Sequence, residues 1–289
     1  MGGAVEGKRI VVTGASRGLG RAFAVALAAE GAKVVVNGTN AALLDEVAAG
    51  IVADGGEALA VVGSVADDDL AEQLVTTCVR SFGGIDAVVN NAGIVRDRTL
   101  VNMTPDEFDD VVAVNLRGTW SVSRHAARAM KESGGLLLQV VSNAAFVGSV
   151  GQTNYAASKA GVMGMLYSWD VELRRFGIRV NALWPIAQTD MTQIVFDNAT
   201  KRATEAGQPP PTPKQLGFGT PESVAPIVVH MCSDRAAHVR SQLVTFNGSK
   251  LALWSHPHET ILARRDVWTL DDLAATLDGA AEPVHVVQY

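Results

Sequence analysis

Short runs dominated by valine, isoleucine, leucine and alanine recur along the chain, at Arg9–Thr13, Lys33–Asn37, Ala58–Val62, Ile85–Asn90, Leu136–Val141, Ile178–Leu183 and Leu243–Phe246. Runs that are apolar at nearly every position predict strands covered on both faces. Between them the apolar residues fall at helical spacing, at Leu19–Glu30, Asn40–Asp54, Asp67–Phe82, Pro105–Lys131, Thr153–Phe176 and Pro221–Ser233. Thr220 followed by Pro221 supplies a helix cap with proline at the first helical position. Strand and helix alternate without a linker. This predicts an α/β fold, a doubly wound parallel sheet of about seven strands with helices on both faces. Such sheets take ligands at the carboxyl ends of their strands.

Two stretches break the rhythm. Asp190–Gly219 is polar and carries Pro209, Pro210, Pro211 and Pro213. It is expected as a long loop, functional or disordered, that could close over a site beside the sixth strand. From Gly248 onward a tail without strand-helix alternation contains Trp254, Trp268 and a short helical pattern at Thr269–Leu277. A packing extension or subunit contact is expected there. The organisation is therefore one domain over 1–289, with a core at 5–250 and an extension at 251–289.

Composition narrows the function classes. A net charge of −6 argues against a nucleic-acid surface, which needs a basic patch. No segment has the apolar length to span a membrane, and the N-terminus lacks a charged region followed by an apolar core. Cys78 and Cys232 lie far apart, so neither a disulfide nor a metal cluster is expected. The expectation is a cytoplasmic protein. His256, His258 and Glu259 lack a further histidine or cysteine at ligand spacing, so no metal is expected.

Candidate chemistry starts at the end of the first strand, in Thr13-Gly-Ala-Ser-Arg-Gly-Leu-Gly20. Glycine at 14, 18 and 20 lets the backbone turn tightly and approach a pyrophosphate. The helix that follows presents unpaired N–H groups and its positive dipole end. This is a Rossmann-type arrangement, with G-x-x-x-G-x-G spacing. At the end of the second strand an acid would bind a bare ribose and repel a 2′-phosphate. The chain has Asn37-Gly-Thr-Asn40 there, and Arg17 in the glycine loop could pair with the phosphate. NADP(H) is favoured, with NAD(H) left open.

Tyr155 and Lys159 share one helix face, four residues apart. A neighbouring ammonium favours the phenolate, so Lys159 is expected to bring Tyr155 toward neutral pH. Taken alone, such a pair more often just covers a helix surface.

In order, Thr13–Gly20, Asn90-Asn-Ala-Gly93, Asn115 within Val114–Gly118, Ser142 and the Tyr155/Lys159 pair make the chain resemble the short-chain dehydrogenase/reductase family over about residues 5–250. That resemblance implies hydride transfer between a nicotinamide cofactor and a secondary alcohol or ketone. It makes Tyr155 the general acid or base, Lys159 the group that tunes it and holds the nicotinamide ribose, and Ser142 the donor to the substrate oxygen. Asn115 would hold a water linking Lys159 to solvent. The implied cofactor set is Gly14, Ser16, Arg17, Gly18, Leu19, Gly20, Asn37, Thr39, Ser64, Val65, Asn91, Ala92, Gly93 and Thr189, with Tyr155 and Lys159. Three departures stand out: Ser64-Val65 where an adenine-binding aspartate is common, Asn143 where a second serine is common, and Ile186 where glycine is usual.

A narrower likeness, in Gly93–Arg98, Pro185–Thr192 and Pro221–Pro226, is to the dehydrogenase domain of peroxisomal multifunctional enzyme type 2. It points to a 3-hydroxyacyl or 3-oxoacyl thioester, or to a hydroxysteroid. A carrier-protein reductase is the alternative and calls for a basic patch, for which Arg96, Arg98, Arg124 and Arg128 are scattered candidates. A catalytically silent cofactor-binding regulator should lack Ser142, Tyr155 or Lys159, and all three are present. The family's subunits pair through the helices predicted at Pro105–Lys131 and Thr153–Phe176. Ala127, Ala156, Ala157, Ala160 and Gly164 would allow such packing, so a homodimer or homotetramer is expected.

Overall fold

The computed structural model describes residues 2–257, 259 and 261–278. The strands are β1 (Arg9–Val12), β2 (Lys33–Gly38), β3 (Glu57–Val62), β4 (Ala87–Asn90), β5 (Gly135–Val140), β6 (Ile178–Pro185), β7 (Leu243–Phe246) and β8 (Leu251–Leu253). The helices are α1 (Gly18–Ala29), α2 (Ala41–Ala53), α3 (Asp68–Phe82), α4 (Pro105–Val112), α5 (Thr119–Ala129), α6 (Ala144–Val147), α7 (Thr153–Leu173), α8 (Gln193–Glu205), α9 (Pro221–Cys232) and α10 (Leu270–Asp278). One eight-stranded sheet runs in the order β3-β2-β1-β4-β5-β6-β7-β8. All pairings from β3 to β7 are parallel.

Strand side chains alternate between the faces, so each strand feeds two cores. Ile10, Val12, Val34, Val36, Leu136 and Leu138 pack with Phe23, Leu27, Leu44, Val47 and Val228 on the α1, α2 and α9 side. Val11, Val35, Val88, Leu137 and Val180 pack with Leu74, Val122, Val162 and Leu166 on the α3, α5 and α7 side. The order reverses between β1 and β4, which opens a crevice at their carboxyl ends.

Three elements differ from the expectation. An eighth strand exists because the chain turns back after β7 and pairs antiparallel, Val244 with Leu253. The expected Asp190–Gly219 loop instead carries α8, whose single buried residue, Phe196, meets Phe218 edge-on at 5.0 Å. One apolar anchor leaves almost no helical periodicity to detect. The expected single helix over Pro105–Lys131 is interrupted by a π-helical turn, Ala113–Gly118, which contains Asn115. Such turns widen a helix locally and are frequent at functional sites.

Among the described residues no helix is long and apolar enough to cross a membrane. None of their His, Cys, Asp and Glu side chains group in threes to hold a metal. His258 lies outside the described residues.

Candidate active site

The glycine loop is shaped by contacts that leave no room for a side chain. A Cβ on Gly14 would stand 2.7 Å from Ala92 Cα, and one on Gly20 would stand 2.2 Å from the Gly14 carbonyl oxygen. Gly14 and Gly18 also have φ of +64° and +56°, the left-handed region that favours glycine. The loop is stitched to the end of β4. The Asn91 amide donates to the carbonyls of Thr13 (3.0 Å) and Gly14 (3.1 Å), and the Thr13 hydroxyl accepts from Asn91 and Ala92 N–H. At the start of α1, Arg17 provides no side-chain cap. The first N–H groups of α1 are thus left without a side-chain cap from Arg17, and uncapped N–H groups at a helix start are donors suited to a pyrophosphate. The cradle fits a dinucleotide.

The nucleotide end departs in part from expectation. Asn37 is not at the crevice surface: it is 1% exposed, and its amide donates to the carbonyls of Val61 and Gly63. Asn37 ties β2 to β3, and its place as a cofactor contact is lost. Gly38 is the more informative residue, because a Cβ there would meet Ser16 Oγ at 2.0 Å. A side chain at position 38 would force the Ser16 hydroxyl to turn away. Thr39 is exposed beside it. Ser64 accepts from Ala66 N–H, while Val65 is buried and would be struck at 2.7 Å by a Cβ on Gly118. Arg17 reaches across the crevice to Asp190 at 2.9 Å, both side chains being largely exposed. Thr189 lies over the same loop, its methyl 3.6 Å from where a Gly18 Cβ would be. Ile186 is held in line with β6 by its N–H on the Phe246 carbonyl.

The reactive side of the crevice gathers residues from β5, α7 and the π turn. Ser142 follows β5, and its hydroxyl accepts from Ala144 N–H and donates to Asn143 Oδ1 at 3.3 Å, while its influence on Tyr155 is to pull that pKa down. Tyr155 is fixed from both sides of the first turn of α7. Its N–H donates to Asn154 Oδ1 at 2.7 Å, and its carbonyl accepts from Ser158 at 2.7 Å. Asn154 in turn donates to the carbonyls of Arg96 and Glu107. Asn115 is fully buried, accepts from Ile94 N–H and donates to the Ile94 carbonyl and to Ser158. Its own carbonyl accepts from Thr119. Gly93 separates Asn115 from Lys159; a Cβ there would sit 3.4 Å from Asn115 Oδ1 and 3.7 Å from Lys159 Nζ. Asn154 and Ser158 are supports the sequence reading passed over. Their signal was a polar residue on the buried face of a helix otherwise packed on apolar neighbours.

The electrostatics run opposite to the expected tuning. Lys159 Nζ donates to the Val140 carbonyl at 2.8 Å and lies 5.6 Å from the Tyr155 ring centre. Burial pushes the ammonium down to about 8. Burial also pushes Tyr155 up to about 12, against the opposing pull of the Ser142 hydrogen bond. In both groups the loss of water around the charged form is the largest cause of the shift. The proton therefore stays on the phenol.

A glycine-lined dinucleotide cradle beside a serine–tyrosine–lysine cluster defines a nicotinamide-dependent oxidoreductase. The short chain dehydrogenase family profile matches residues 8–200. A hydroxyacyl-CoA dehydrogenase of Mycobacterium tuberculosis is 39% identical over 94% of this chain and 88% of its own length. A 3-oxoacyl acyl-carrier-protein reductase of Thermotoga maritima is 38% identical over 84% of this chain and 98% of its own. The crystal structure of a short chain dehydrogenase from Mycobacterium avium superposes with a TM-score of 0.79 at 39% identity, covering 98% of each chain. The chain belongs to the short-chain dehydrogenase family. It is an NAD(P)(H)-dependent enzyme that interconverts a secondary alcohol and a ketone.

Lys159 makes stability pH-dependent with a definite sign. The unfolded chain holds this proton up to the ordinary 10.5, whereas the folded chain releases it at about 8. Stability therefore rises with pH across that window. Tyr155 acts in the opposite sense only above its ordinary 10. Between pH 7 and 9 the cofactor-free wild type should gain about 1 kcal/mol relative to Lys159→Met in urea unfolding. A difference that does not change with pH contradicts the buried ammonium.

Proposed function

We propose that the protein interconverts a 3-hydroxyacyl and a 3-oxoacyl thioester, of the coenzyme A type, with NADP(H) as its cofactor. The observation that carries this is the gathering of Ser142 at the end of β5, Tyr155 on α7 in one cluster with Ala144, and Lys159 buried one turn further on with its ammonium on the Val140 carbonyl. A ketone oxygen between the two hydroxyls would accept from Ser142 and receive its proton from Tyr155. Burial keeps that proton in place until negative charge develops on the substrate oxygen. When bound, the nicotinamide supplies or accepts the hydride. Lys159 would hold the cofactor's ribose and return a proton toward Tyr155, with Asn115 holding a water on that route. Gly14, Ser16, Gly18, Leu19, Gly20, Asn91, Ala92 and Gly93 would line or brace the pyrophosphate and adenosine side, and Thr189 the nicotinamide side.

The choice of coenzyme A over a carrier protein rests on charge and on reach along the chain. Arg98 pairs with Glu107, Arg96 with Asp110 and Arg124 with Asp68, which leaves little of a basic patch for an acidic carrier. The hydroxyacyl-CoA dehydrogenase also matches more of this chain than the carrier-protein reductase does, 94% against 84%. NADP(H) is supported by Arg17 at the crevice rim and by the absence of an acid in Asn37–Asn40. A homodimer or homotetramer is supported by the exposed stripe of α7, Ala157, Ala160, Gly164 and Val171.

With acetoacetyl-CoA and NADPH, Tyr155→Phe should lower kcat at least about a hundredfold while the NADPH dissociation constant stays within about twofold. Turnover near that of the wild type would sink the assigned role. Arg17→Ala should raise KM for NADPH about tenfold and leave KM for NADH nearly unchanged, because a charge-assisted phosphate contact is lost. An unaltered preference between the two cofactors would remove Arg17 from nucleotide selection.

A further inference from the structure

The extension returns to the catalytic half of the molecule through one aromatic side chain. Beyond β8, Trp254 packs on the sheet face that carries α7. Its backbone N–H donates to the Leu243 carbonyl, and its indole N–H donates to the Thr245 hydroxyl at 2.8 Å. The ring lies 5.7 Å from Trp184 on β6 and stacks on Phe146, centre to centre 4.9 Å at an interplanar angle of 29°. Phe146 belongs to α6, which begins two residues after Ser142.

A helix of four residues does not hold its shape alone, and α6 has no side-chain cap. It ends at Gly148, with φ of 71°. Two points pin it. Ala144 is buried in a small cluster with Tyr155 and Val111. Phe146 is clamped by Trp254. A cavity of about 240 Å³ adjoins the clamp, lined by Phe146, Tyr167, Leu243, Trp254 and His256 among others. The carrier-protein reductase aligns over 98% of its own length with only 84% of this chain, so this chain carries length that the reductase lacks.

We infer that Trp254 is a positioning residue for substrate: through Phe146 it holds α6, the wall of the site that starts at Ser142, and so sets affinity for the acyl thioester. The inference rests on the thioester reading above. The hydrogen bonds and ring contacts of Trp254 go to Leu243, Thr245, Phe146 and Trp184 rather than to Ser142 or Tyr155, so its effect belongs in substrate affinity rather than in proton transfer.

Hydrogen exchange of residues 143–149, read by mass spectrometry on the full chain, tests the clamp without needing a substrate. Trp254→Ala should speed exchange in that segment about tenfold and raise KM for acetoacetyl-CoA about as much, with kcat and NADPH affinity nearly constant. Trp254→Phe keeps the stack and should recover most of both effects. Unchanged exchange at 143–149 in Trp254→Ala overturns the inference, whatever the substrate proves to be. Exchange that rises evenly across the whole chain also overturns it, because Trp254 is then only a stabilising residue. If the wild type turns over no acyl thioester, the substrate reading fails while the exchange result still decides the clamp.

Discussion

A buried hydrogen bond from Lys159 to the Val140 carbonyl joins the two parts on which this site depends. Val140 ends β5, and Ser142 follows it. Lys159 lies one helical turn beyond Tyr155 on α7. The bond therefore sets how α7 sits against the end of the sheet, and with it the meeting of the Ser142 and Tyr155 hydroxyls. It also explains the electrostatics. An ammonium placed where it can reach a strand carbonyl is removed from water, and the same enclosure keeps the tyrosine protonated. Proximity alone suggested a phenolate; burial reverses that preference in the cofactor-free protein.

The nucleotide side is organised by exclusion rather than by attraction. Gly14, Gly20 and Gly38 each face an atom that a Cβ would strike, and Asn91 and Thr13 hold the loop in the position those contacts require. Arg17 and Asp190 then bridge the rim, which brings the start of the α8 region against the glycine loop. A surface ion pair of this kind is worth little on its own. Its consequence is geometric, since a phosphate seeking Arg17 must compete with Asp190.

Most strands were legible because they are runs of valine, isoleucine or leucine buried on both faces, the edge strand β3 being the more exposed exception, and their observed ends lie close to the predicted ones. Thr220, expected as a cap, does cap α9, and Asn40 and Asp67, the first residues of two expected helical stretches, turn out to be the caps of α2 and α3. What escaped was weakly encoded in side-chain pattern. β8 has three residues, two of them exposed. α8 rests on Phe196, and the π turn at Asn115 is a property of backbone hydrogen bonding. In the site, Ser142, Tyr155 and Lys159 come together as expected. Asn37 fails because a polar residue near a strand end looks the same in sequence whether it faces the crevice or the neighbouring strand. The direction of the Tyr155 and Lys159 shifts was hidden for a similar reason, because burial depends on residues far away in the chain.

The account stands or falls on a hydride and a proton reaching one ketone from opposite sources, and isotope transfer reads this directly. Acetoacetyl-CoA turned over with NADPH deuterated at the transferable C4 position should give 3-hydroxybutyryl-CoA with a single deuterium on the carbon that bears the new hydroxyl. Consumption of the cofactor with no deuterium on that carbon would contradict the account.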